Sequence, residues 1–198
     1  MRRITTAMSA LVGLLALSVA FVGSAQAHTF EWSGANAALL LVLADGPQTF
    51  TAAPGLVVIC KHVRLDGTVK QGAQLNATAR GTYTGCEAAG LKAVVSEAEY
   101  EFSADETVSV INKTIAITVA ALGCEVTVGP SNNKELKKVR YLEDPKSGGT
   151  RILAHVEVAG INSTTKGTCG VEEGAHAGGT YFGLVLAFAH GTGTLKWS

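Results

Sequence analysis

No Gly-x-Ser-x-Gly elbow, no phosphate-cradling glycine loop set between a strand and a helix, and no closely spaced cysteine pair occurs in this 198-residue chain. The first absence removes the usual frame of an α/β-hydrolase, the second removes nucleotide binding, and the third argues against structural zinc. An excess of positive charge is also missing, since 16 Lys and Arg balance 16 Asp and Glu. The densest basic group, Lys134, Lys137, Lys138 and Arg140, shares its stretch with Glu135 and Glu143. Such a mixture reads as a solvated face and not a phosphate-tracking patch, so nucleic acid is excluded as a partner. Aromatic residues make up only 6% of the chain, too few for a broad sugar-stacking platform. No apolar run reaches the ~18–20 residues a bilayer-crossing helix needs, so the chain is not expected to span a membrane.

What is present begins with an address. Arg2 and Arg3 precede an apolar stretch at residues 11–23, and Ala25-Gln26-Ala27 supplies the small-x-small pattern that signal peptidase accepts. Residues 1–27 therefore read as a signal peptide and residues 28–198 as a single secreted β domain beginning at His28, with cleavage between Ala27 and His28. Loss of Arg2 and Arg3 leaves fourteen basic side chains against sixteen acidic ones, a formal charge of −2. No cysteine stands at the cut, which argues against a lipid anchor.

Export would carry Cys60, Cys86, Cys124 and Cys169 into an oxidising compartment. Their even number and their gaps of 26, 38 and 45 residues favour two disulfides over a metal site. Three connectivities are possible; loop closure favours consecutive pairing, Cys60 with Cys86 and Cys124 with Cys169.

Period-two alternation dominates the mature chain. From Ala73 to Arg80, and on to Tyr83, odd positions are mostly apolar and even ones polar, as in a half-buried strand. Glu97, Glu99 and Glu101 oppose Ala98, Tyr100 and Phe102, and further inward sets are Cys124, Val126 and Val128; Ile152, Ala154, Val156 and Val158; and Ile115, Ile117 and Val119. Residues 39–43, 56–59 and 182–189 are apolar at both parities, which suggests strands covered on both sides, with helix an alternative for 39–43 and 184–189. Turn signals recur at Asp45-Gly46-Pro47, Asp66-Gly67, residues 129–133, Asp144-Pro145 with Gly148-Gly149, and Gly178-Gly179. The expected fold is all-β, an antiparallel sandwich or barrel-like domain of about ten or more short strands.

Several stretches recur in order along the mature chain: Gln48-Thr49-Phe50-Thr51, the GLVVICK run at 55–61, Tyr83-Thr84-Gly85-Cys86 with Gly90-Leu91, Glu99-Tyr100-Glu101-Phe102, residues 124–128, Val139-Arg140-Tyr141, and residues 179–183. In these the chain resembles the uncharacterised secreted β-rich proteins that soil actinobacteria carry in many copies. Relatives of that type often place extra cysteines near the Tyr-x-Phe strand, where this chain has Ala98 and Val110. The resemblance implies secretion and a β-rich fold, and no activity.

Among chemical candidates, His28 is the sharpest. A new amino terminus and its imidazole chelate Cu(II) when a second histidine completes the site, as in secreted copper monooxygenases. Those enzymes usually follow the histidine with glycine, and Thr29 stands here; His62, His155, His176 and His190 are the available partners. His155 with Glu157, and Glu172, Glu173 and His176 in a glycine-rich stretch, read as exposed polar groups, and the row Glu97, Glu99, Glu101 as a soluble outer face. Ser33, Ser147 and Ser163 read as loop serines, and Asn76, Asn112 and Asn162 head sequons. No catalytic residue, metal site or cofactor is therefore assigned. The sequence points to a non-catalytic extracellular or cell-surface binding or structural module for an unknown ligand, carbohydrate or protein, with a copper enzyme using His28 as the alternative.

Overall fold

In the computed structural model the described residues are 28–44, 46–53, 55–129, 136–137, 139–144, 147 and 151–198. The leader with Arg2, Arg3 and Ala27, the turn residues Asp45, Pro130, Ser131, Asn132, Asn133, Pro145, Gly148 and Gly149, and Lys134, Glu135 and Lys138 of the charged cluster lie outside them.

Alternating burial organises the strands. The chain starts with β1 (Phe30–Trp32), β2 (Ala38–Ala44), β3 (Gln48–Ala53), β4 (Leu56–Val69), β5 (Gly72–Gln74) and β6 (Asn76–Ala88). It continues through β7 (Leu91–Val95), β8 (Ala98–Ser103), β9 (Thr107–Ile111), β10 (Ile115–Val119), a 3-10 turn at Ala120–Leu122 and β11 (Cys124–Val128). It ends in β12 (Leu136–Lys137), β13 (Val139–Glu143), β14 (Arg151–Lys166), β15 (Gly174–His190) and β16 (Leu195–Trp197). The fold is all-β, as expected, and every pairing is antiparallel.

Four strands are longer than expected: β4 with 14 residues, β6 with 13, β14 with 16 and β15 with 17. Each is long enough to pair with two different neighbours along one edge. One half of β4 pairs with β3 and the other with β2, while β6 runs along its opposite edge. Followed through its hydrogen bonds, the first circuit is β3-β4-β6-β7-β10-β11-β14-β15 and back to β3. The second is β2-β4-β6-β8-β9, then β12 and β13 in succession, then β14-β15 and back to β2. The protein is therefore two barrel-like rings stacked end to end, with the four long strands common to both. Ring closure pairs both edges of these strands, which removes the exposed templates on which another chain could add a strand. Among the described residues the open edges belong to the separate three-stranded sheet β16-β1-β5.

That small sheet closes the far end of the second ring. Phe30, Trp32 and Leu195 are buried there, and Trp32 Nε1 donates to the Asn36 carbonyl at 2.8 Å. Phe30 meets Tyr141 edge-on at 5.0 Å between ring centroids.

Cys60 bonds Cys86 across directly opposed positions of β4 and β6, and Cys124 bonds Cys169, tying the start of β11 to the β14–β15 connection. No cysteine is free. Both crosslinks fall on the first ring.

The structure revises several local expectations. Residues 39–43 and 184–189 are strand, not helix, and the apolar runs are covered on one side only. Leu39, Leu43 and Phe182 face outward with 45%, 37% and 51% exposure, alongside Val57 and Ile59 on β4. Asp66-Gly67 is not a turn but lies within the second half of β4, where a Cβ on Gly67 would overlap the Thr78 carbonyl of β6. Glycine there permits close backbone approach. Gly178-Gly179 likewise lies within β15. The alternation expected from Ala73 to Tyr83 as one strand is broken at Leu75, which is exposed and separates β5 from β6.

Candidate ligand-binding cavity

Where the two rings meet, the inward parity of the long strands changes. Val58 and Cys60 point inward on β4, Lys61 and His62 are both exposed, and Val63 and Leu65 point inward again. On β14 inward Val156 and Val158 give way to inward Ile161 across a register shift at Gly160, which has φ +79°. Gly85 of β6 and Gly178 of β15 hold the matching positive φ values of +64° and +81°. A left-handed residue in a strand bends it and resets which side chains face the core.

These bends leave a cavity of about 100 Å³ between the rings. Its wall is mostly Val, Ile, Leu and Phe, including Phe50, Val158 and Ile117. Four polar side chains interrupt it: Gln48, Tyr83, Tyr100 and Tyr181.

Gln48 is 2% exposed on β3, a position that a strand normally gives to an aliphatic residue. Its Nε2 donates to the carbonyls of Gly46 at 3.2 Å and Leu184 at 3.1 Å, and its Oε1 accepts from Tyr181 Oη at 2.8 Å. Both amide protons and one oxygen lone pair are thus used and the group is fixed in orientation, which offsets its desolvation. Tyr83 of β6 and Tyr100 of the neighbouring β8 join their hydroxyls to each other. Gly81 of β6 makes room for the pair, since a Cβ there would stand 2.9 Å from the Tyr100 ring and 3.3 Å from Tyr83 Oη.

Burial pushes the Tyr83 hydroxyl well above the ordinary phenol value, with the charge of Tyr100 adding to the effect. Tyr100 is pushed up by burial to about 12, although its hydrogen bond with Tyr83 works the other way. Burial raises Tyr181 too, followed by the influence of Tyr100. All three are neutral hydrogen-bonding groups at physiological pH. A second, smaller void of about 40 Å³ in the second ring is lined by Tyr141, whose buried hydroxyl has no hydrogen-bond partner among the described residues.

The candidates read from the sequence lie elsewhere. His28 stacks on Trp197 at 4.3 Å between ring centroids, and neither β5 nor β16, the two neighbours of β1, carries a histidine. His62 is on β4 and His155 on β14, the latter edge-on to Phe182 at 5.2 Å. His176 Nε2 is within hydrogen-bond distance of Thr165 Oγ1 at 2.8 Å and the Glu172 carbonyl at 2.9 Å, and His190 ends β15 beside Phe188. Among the described residues no group of three His, Cys, Asp or Glu side chains could hold a metal ion.

Glu97 pairs with Arg80 and Glu99 accepts from Asn112 Nδ2 at 2.8 Å, so that row is engaged on the outer face. Ser33 bonds Thr194 at 3.0 Å, and Ser147 donates to the Asp144 carbonyl at 2.8 Å. Ser163 is not a loop serine but a buried residue of β14 whose hydroxyl donates to the Ala52 carbonyl at 3.0 Å. Among the described aromatic residues Phe182 alone is more than a third exposed, and Phe188, on the same parity of β15, is partly exposed. Sequence reasoning missed the cavity, because Tyr83, Tyr100 and Tyr181 look like ordinary core residues of their strands. The polar Gln48, at an inward position beside Phe50, was the available signal.

A barrel-like β domain with a tyrosine-bearing internal cavity is the class that fold and site define. Compared with protein-family models, curated proteins and solved structures, the chain matches none.

Proposed function

We propose that this protein is an exported, disulfide-stapled binding module that holds a small ligand inside its β framework and performs no catalysis of its own. The cavity between the rings carries the reading: a mostly apolar hollow with a few convergent polar groups is the usual form of a small-molecule site. Two disulfides support life in an oxidising compartment, and the leader-like residues 1–27 support export. Kinship with the secreted β-rich proteins of actinobacteria belongs to the same reading. An interior site favours a small molecule over a carbohydrate chain or a protein partner, since among the described residues the outer surface offers neither an aromatic platform nor an open ring edge.

Two measurements test the reading. Amino-terminal sequencing of protein recovered from culture medium should begin at His28; a product that retains residues 1–27 and stays inside the cell overturns export. Titration of the oxidised protein with a panel of small solutes (cyclopentanone, methylenecyclopentane and butanoate) should shift the NMR signals of cavity residues. The larger side chain of Val158→Phe should abolish the shifts. If no member of the panel is taken up, the binding-module reading falls.

A further inference from the structure

The polar atoms of the cavity are not spread evenly around its wall. The Tyr83 and Tyr100 hydroxyls face one another with no other hydrogen-bond partner among the described residues. Two hydroxyls hold two protons, and the bond between them uses one. One O–H is left at the apolar cavity wall without an acceptor among the described residues, a costly state for a donor. Tyr181 differs, because its proton is committed to Gln48 Oε1, which is held as an acceptor by the two carbonyls that Nε2 serves. Its own oxygen keeps free lone pairs. The cavity therefore offers a single spare donor, beside acceptor lone pairs on the tyrosine oxygens, with no ionised side chain in its wall.

Resting on the binding-module reading, we propose that the cavity selects a small, neutral, mostly apolar molecule with one oxygen function, a ketone or an alcohol, whose oxygen accepts the spare proton of the Tyr83–Tyr100 pair. The hydrocarbon part lies against the aliphatic wall around Ile117 and Val158. Size sets the class: about 100 Å³ is below the ~150 Å³ of a cavity that takes benzene, so six heavy atoms, as in benzene, is about the upper limit for a ligand. Charge sets it too. A carboxylate would lose its hydration with no cation to replace it, and the tyrosines, kept protonated by burial, supply only neutral hydrogen bonds.

The same solute panel tests the inference in the oxidised, full-length mature protein. Cyclopentanone and methylenecyclopentane have nearly the same shape and differ in the acceptor oxygen, while butanoate adds a charge. Cyclopentanone should bind about 3- to 10-fold more tightly than methylenecyclopentane, the range one neutral hydrogen bond supports, and butanoate should be the weakest. Tyr83→Phe with Tyr100→Phe removes both hydroxyls with little change of shape, and should bring the ketone down to the level of the hydrocarbon. Equal binding of the two isosteres by the native protein overturns the oxygen recognition while leaving the binding module intact. Preference for butanoate overturns the neutral class. Should the double variant fail to fold, the comparison of isosteres on the native protein still decides.

Discussion

The side-chain amide of Gln48 fills the space that a Cβ on residue 183 would need, so Gly183 of β15 and Gln48 of β3 form a matched pair. The missing side chain on one strand is what admits a buried amide on the other. That amide in turn positions Tyr181 at the cavity. Gly183→Ala should therefore destabilise the fold by about 2–4 kcal/mol, through overpacking and loss of hydrogen bonds to a buried amide. Denaturant unfolding measures it. In the double variant Gly183→Ala with Gln48→Ala the costs should add up to less than the sum of the two singles, because the clash is gone.

All four tyrosines of the chain, Tyr83, Tyr100, Tyr141 and Tyr181, have hydroxyls raised above the ordinary phenol value of 10.0, in each case chiefly by burial. Their protonated form is favoured by the fold, so this contribution is fully present below the unfolded value and is lost as pH climbs through the folded ones. Absorbance at 295 nm should show almost no tyrosinate in the native protein near pH 10.5. Thermal stability should be indifferent to these groups up to about pH 10 and fall above it. A native tyrosinate step at pH 10 would contradict the burial of the site.

Adjacent residues on β2 should behave oppositely. Leu40 is 5% exposed and faces the second ring, whereas Leu39 is 45% exposed on the outside. Leu40→Ala should cost about 2–4 kcal/mol and Leu39→Ala less than about 1. Chemical denaturation of the two variants checks the parity of the strand.

Each disulfide closes a loop, of 26 residues for Cys60–Cys86 and 45 for Cys124–Cys169. In the chain-entropy picture each adds roughly 3–4 kcal/mol, comparable with the whole stability of a small domain. Replacing either pair with alanine should lower the unfolding midpoint steeply. Peptide mapping without reduction should recover only the two consecutive linkages.

Much of the framework is legible in the sequence, because period-two burial follows directly from strand geometry. The inward sets Ile152, Ala154, Val156, Val158 and Cys124, Val126, Val128 need nothing more than alternation, and all seven are buried. What misleads is a change of parity. Gly178-Gly179 reads as a turn, yet it lies within a strand that carries on into a second ring, as do the parity changes at Lys61-His62 and Gly160. Glycine signals both a turn and a close approach, and only the partner strand decides between them; at Gly67 the close approach is to the Thr78 carbonyl of β6, beside its register partner Ala79. The cavity was illegible for a related reason. It is formed by side chains on different strands whose nearness depends on ring closure, a long-range fact that local periodicity does not contain.

Because β4, β6, β14 and β15 traverse both rings, they act as a shared spine. Inserting or deleting one residue midway would invert every side chain downstream, exchanging interior for exterior in the neighbouring compartment as well. Divergence in this architecture is thereby channelled into the short strands that serve a single ring, β3, β7, β10 and β11 in the first and β2, β8, β9, β12 and β13 in the second. The two chambers can be furnished separately, but they cannot be re-registered separately.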